Sequence, residues 1–213
     1  MRRPRDWFYP ALKYRLPRTG PTTPVSPRLL VLIPSAVAIN LAMGFLTNQL
    51  GLPLYLDTLG TVLTAALAGP VVGIVTGLVS QLVRSLYEGF IWLPFGLVQV
   101  VIALLAAFVA RQRGFRSLPV SLAWGALVGV AAGAVSALIS YLVFRGVTAT
   151  GVTAITTLLA GAGLSRSEAV TVASIGTDLA DKMIVLALAG AALRALPVRV
   201  AARHPWALRA VGR

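Results

Sequence analysis

Residues 28–197 are apolar almost without pause, and the breaks are Gly-Pro corners or small clusters of charge. A helix needs roughly 20 apolar residues to cross the hydrocarbon core of a bilayer. The first such stretch, residues 28 to about 50, would measure about 34 Å at helical rise, and Gly51-Leu52-Pro53 breaks it. A second, shorter stretch begins near Leu54 or Asp57 and stops at Gly69-Pro70, which predicts a helix that is tilted or partly shielded by protein. The third runs from Val71 to about Tyr87, after which Glu88-Gly89 and Pro94 bracket a short aromatic loop. The fourth, residues 95–110, is closed by Arg111, Arg113 and Arg116, and the fifth covers residues 119–144. A Thr- and Gly-rich connection over residues 145–167 has room for a short helix at 153–159. The last apolar stretch, residues 169–196, ends at Pro197.

Charge tests this count of six. Of the 19 Lys and Arg residues, seven precede or open the first stretch, three lie in the Arg111 to Arg116 loop and five follow from Arg194 onward. With six spans and both tails inside, all of these fall on the cytoplasmic side, leaving only Arg145 and Arg166 in outer loops, as positive-inside topology requires. An odd number of spans would place one basic tail outside. The sequence therefore predicts an all-α integral membrane protein of six helices with both termini cytoplasmic, with residues 146–164 leaving other even counts open. It divides into a basic, proline-rich tail (1–27), a membrane domain (28–197) and a second basic tail (198–213). The first apolar run has no small-residue cleavage site, so it reads as an uncleaved span rather than a signal peptide.

Composition narrows the function. Hydrophobic residues make up 57% of the chain and the mean hydropathy is +0.84, outside the range of soluble domains. The net charge of +13 flanks the apolar spans, which points to topology and anionic lipid rather than nucleic acid. There is no cysteine, and the only histidine, His204, is expected to be solvated in the C-terminal tail. No nucleotide-binding, serine-hydrolase or zinc-protease motif is present, so neither an enzyme nor a metal or cofactor is expected. Gly69, Gly73 and Gly77, and again Gly125, Gly129 and Gly133, recur every four residues, spacing that permits close helix packing in lipid.

The polar residues within the apolar region are grouped. Charged side chains in lipid persist when paired, hydrated or useful. Asp178, Asp181 and Lys182 share one face of the last stretch, with Asp178 and Lys182 spaced i,i+4. Gln81, Arg84, Ser85 and Glu88 share a face of the third. The first offers Asn40, Gly44 and Asn48; Asp57 opens the second and Gln99 lies in the fourth. In the six-span topology most of these lie in the outward half, with Tyr55, Trp92 and other aromatic residues nearby. That grouping fits a binding pocket for a small polar molecule; a structural salt-bridge network with an interfacial aromatic belt fits it too. Ala38 and Ala42 form a small-residue pair opposite Asn40, a smooth face for a helix of this chain or of a partner.

At these residues the chain resembles the substrate-binding membrane subunits (S components) of energy-coupling factor transporters. The resemblance rests on Asn40, the Leu-Pro-Leu-Tyr-Leu-Asp-Thr-Leu-Gly-Thr block ending at Thr61, Leu67-Ala68-Gly69-Pro70 with Gly73 and Gly77, Leu93-Pro94-Phe95, Asp178-Leu179-Ala180-Asp181-Lys182 and Leu196-Pro197. It implies a six-helix subunit in a prokaryotic plasma membrane that captures a vitamin or similar micronutrient from outside. Such a subunit works with a transmembrane coupling protein and a pair of cytoplasmic ATPases, and topples in the membrane to deliver its cargo. By the same resemblance, Ala38 and Ala42 would dock on the coupling protein, and residues 51–57 and 88–94 would cap the pocket. The residues expected to form or border the site are Asn40, Asn48, Tyr55, Asp57, Gln81, Arg84, Glu88, Trp92, Gln99, Asp178, Asp181 and Lys182, with Tyr55 and Trp92 stacking on a ring. A solute-sensing membrane domain and an autonomous secondary transporter remain open alternatives. Four acidic candidates against two basic ones hint at a cationic or zwitterionic solute.

Overall fold

The computed structural model describes residues 27–145, 152–201, 204 and 206–212. The expected N-terminal tail lies outside the described residues except for its last position, as does part of the connection after Arg145. Among the described residues the fold is entirely helical, with no strand. The helices are α1 (Pro27–Gln49), α2 (Leu59–Ala68), α3 (Pro70–Glu88), a 3-10 helix (Phe90–Phe95), α4 (Gly96–Arg111), α5 (Leu118–Phe144), α6 (Val152–Gly161), α7 (Arg166–Ala195), and the short α8 (Val198–Ala201) and α9 (Ala207–Val211). Four helical stretches, within α1, α3, the 3-10 helix with α4, and α5, are long and apolar enough to cross a membrane. This is the pattern of a multi-pass membrane protein.

Local sequence sets the helix ends. Pro70 starts α3 directly after Gly69, whose φ of 96° suits glycine alone, so two helices meet in a corner with no loop. α7 starts at Arg166, three residues before the expected boundary, because Ser165 and Glu168 form a capping box. The second stretch is helical only over the 10 residues of α2, about 15 Å and half the hydrocarbon depth. Seven of those residues are buried, so protein shields it.

Close backbone contact holds the bundle together. α5 and α7 run antiparallel, and a Cβ on Gly125, Gly129 or Gly133 would come within 2.6 Å of the α7 backbone at Met183, Leu179 or Ile175 respectively. A Cβ on Gly60 would lie 2.1 Å from the Ala36 carbonyl oxygen, so α1 and α2 also touch through backbone. In lipid such contact gains dispersion energy that loose packing forfeits.

The two ends of the bundle differ. At one end α4 runs into the turn that carries Arg111, Arg113 and Arg116, and the C-terminal segment folds back over it. There the Phe115 amide donates to the Ala210 carbonyl at 3.1 Å, Arg209 Nε to the Arg111 carbonyl at 3.2 Å, and Trp206 sits against Gly69 with the Arg111 guanidinium 4.6 Å from its ring. The described part of the segment after Pro197 is thus packed, with Ala201, Ala207 and Ala210 buried, and His204 is half-buried rather than fully solvated. The opposite end carries the 3-10 helix, residues 50–58, Arg145 and Arg166.

Candidate functional site

The site begins with a loop that an α7 carboxylate holds in place. Leu56 has φ 48°, a left-handed conformation that costs a leucine about 1–2 kcal/mol. Asp181 offsets this cost: its Oδ1 accepts the Tyr55 amide at 3.0 Å and the Leu56 amide at 2.7 Å. Its other oxygen takes the ammonium of Lys182. Thr47 Oγ donates to the Tyr55 carbonyl at 3.0 Å and pins the same loop to α1.

This loop, the 3-10 helix and four long helices surround a cavity. Tyr55, Asp57 and Thr58 come from the loop, Gln81 from α3, Trp92 and Phe95 from the 3-10 helix, Val98, Gln99 and Ile102 from α4, Ser136 from α5, and Asp178 and Lys182 from α7. It contains about 360 Å³ of atom-free space, part of it open to the outside, of which only about 30 Å³ admits the centre of a water molecule. The enclosed part is therefore narrow, and a ring-sized guest would have to displace some of the wall. Aromatic rings make up much of that wall. Tyr55 meets Trp92 edge-on at 6.4 Å, Phe95 lies 6.0 Å from Trp92, and Phe95 stacks on Phe144 at 5.8 Å.

Lys182 is 1% exposed and pairs with both Asp181 and Asp178, the latter at 3.4 Å. Among the described residues, four buried side-chain oxygens have no hydrogen-bond partner: Thr58 Oγ, Ser140 Oγ, Thr177 Oγ and Asp178 Oδ2. Two of these, on Thr58 and Asp178, belong to residues that line the cavity. Two of the residues that line this cavity thus carry unused polar capacity.

Behind the wall stands a charge clamp. Arg84, 5% exposed, donates from Nη1 to Asp57 at 2.7 Å and from Nε to Glu88 at 2.7 Å, and its guanidinium lies 3.6 Å from the Trp92 ring centroid. One side chain therefore ties the loop, the end of α3 and the 3-10 helix together. Gln81 adds a bond from Nε2 to the Trp92 carbonyl at 2.8 Å.

Seven of the twelve residues expected from sequence line the cavity: Tyr55, Asp57, Gln81, Trp92, Gln99, Asp178 and Lys182. Arg84, Glu88 and Asp181 hold that wall from behind. Asn40 does not line the cavity and acts as a helix clamp beside it. Its amide donates to Thr61 Oγ and Ser80 Oγ, both at 2.9 Å, and accepts the Gly60 amide at 2.7 Å, joining α1, α2 and α3. Asn48 is exposed and is not brought to the site. Eight residues from Asn40 is about 80° round the helix, whereas Thr47, seven away, is only about 20° off. Thr47 therefore takes the buried place. Thr58, Phe95, Val98, Ile102 and Ser136 were not expected; an apolar or hydroxyl residue on an apolar helix carries no signal that separates lining from packing. Ala38 and Ala42 are both exposed on the outer side of α1.

The chain matches no protein-family model, and no curated protein or solved structure is significantly similar to it.

Proposed function

We propose that this chain is a solute-binding membrane subunit of the energy-coupling factor type, the S component of an ATP-driven importer. In this reading it has no catalytic activity and lies in the plasma membrane of a prokaryote, where it takes a vitamin-like micronutrient from outside. The observation that carries it is convergence. Polar residues from the loop, α3, α4, α5 and α7 meet aromatic rings at one cavity inside an apolar bundle, and two of the lining residues carry a buried oxygen without a partner.

Six spans follow if α7 and the half-depth α2 are added to the four apolar helices. α7 has the length, about 45 Å over its 30 residues, and its central charges largely neutralise one another. Among the described residues, Arg111, Arg113, Arg116, Arg194 and Arg209 gather at the end away from the cavity, against the exposed Arg145 and Arg166 at the cavity end. Positive-inside topology then faces the cavity outward and puts the C-terminal segment in the cytoplasm. The outer side of α1, with Ala38 and Ala42, would meet a transmembrane coupling protein that carries a pair of ATPases.

The test is purification of the tagged chain from its native membranes together with solute uptake. A coupling membrane protein and two ATPases are expected to co-purify, and uptake is expected to stop when ATP is depleted. Uptake that continues without ATP and without those partners would assign the chain to the secondary transporters instead.

A further inference from the structure

We propose that the solute of this cavity is a flat, ring-bearing molecule that presents a cationic N–H group to Asp178; this rests on reading the cavity as a solute site. Asp178 is 3% exposed and lines the cavity. Its Oδ1 lies 3.4 Å from the Lys182 ammonium, but Oδ2 has no hydrogen-bond partner. An ionised carboxylate oxygen only accepts, so the group that completes it is a donor.

Charge fixes the kind of donor. Asp57 and Glu88 share Arg84, and Asp181 holds Lys182 and two backbone amides. Four carboxylates against two cations leave the cluster with a formal charge of −2. A cationic guest reduces that excess where water is scarce, and an anionic guest adds to it. The other wall fixes the shape. Arg84 already covers Trp92 from outside the lining, so the cavity meets that ring elsewhere, beside Tyr55 and Phe95. A planar ring is the group that gains most from such a wall.

Benzamidine, benzyl alcohol and benzoate are single-ring probes of similar size with positive, zero and negative charge. Their binding to the full-length protein in lipid nanodiscs can be read by tryptophan fluorescence and by unfolding temperature. Benzamidine should bind about tenfold or more tightly than the other two, the scale of one charge-assisted hydrogen bond. Asp178→Asn keeps the side-chain shape and should abolish that preference. Equal binding of the three, a preference for benzoate, or a benzamidine preference that survives in folded Asp178→Asn would overturn the inference and leave the solute site standing. Binding of none of them at millimolar concentration would overturn the solute reading as well. The wild-type series decides the question even where the variant fails to fold.

Discussion

Arg84 shows how much one buried cation organises here. It satisfies two carboxylates from different segments and lies against Trp92, so its loss strands Asp57 and Glu88 in a poorly hydrated wall. Removing one partner of a buried ion pair costs about 3–5 kcal/mol. Arg84→Met should therefore lower the unfolding temperature markedly in mild detergent, while Arg84→Lys recovers only part, since an ammonium lacks the fork that reaches both carboxylates. A variant as stable as the wild type would show that the clamp does not hold the site. At this scale the sequence was legible wherever charge in lipid demanded a partner: Asp57, Arg84, Glu88, Asp178, Asp181 and Lys182 all fall in one connected region. It was not legible where neutral polar groups had to be sorted. Asn40 and Asn48 look alike in sequence, yet one is saturated by three hydrogen bonds and the other is exposed. Asn48→Ala should leave solute affinity within about twofold, as an exposed residue away from the site predicts; a tenfold loss would return Asn48 to the site.

Among the elements, the antiparallel α5–α7 pair sets the floor of the cavity, because Asp178 and Lys182 project from the stretch of α7 that lies against Gly125 and Gly129. A side chain at Gly129 would meet the Asp178 carbonyl oxygen and Leu179 Cα at 2.6 Å. Gly129→Leu should thus push the helices apart, at a cost of about 1–3 kcal/mol or more, and weaken solute binding as Asp178 moves. Gly176, on the same helix α7, has nothing within 4 Å, so Gly176→Ala should be neutral or stabilise slightly through helix propensity. Thermal unfolding of the two variants side by side checks this, and equal effects would contradict it. The four-residue glycine spacing announced a close contact, but spacing alone could not say which helix would fill it. The limits of α2 were hidden for a related reason. Apolar run length cannot separate an extended loop held by Asp181 from one more turn of helix.

For the molecule as a whole, α1 is, among the described residues, the least covered of the long apolar stretches. Only 28% of its apolar window is buried, against 39–50% in the other three apolar stretches. Ala38→Trp combined with Ala42→Trp should leave solute affinity unchanged and reduce uptake by about tenfold or more, since bulk on a small-residue face keeps helix backbones from approaching. Normal uptake by that double variant would move the coupling surface elsewhere. The apolar stretches and their Gly-Pro corners made the helical bundle readable in outline, whereas the packed C-terminal segment was not, because a short segment that alternates arginine with small apolar residues gives little sign that it will fold back. The central claim is that this bundle encloses a solute, and native mass spectrometry of the full-length protein, released gently from its own membranes, tests it most directly. A one-to-one adduct with a small molecule, lost when Lys182→Met is examined as a folded protein, is the predicted result. A folded wild-type protein that carries no such molecule, and gains none from extract of its own cells, would contradict the account.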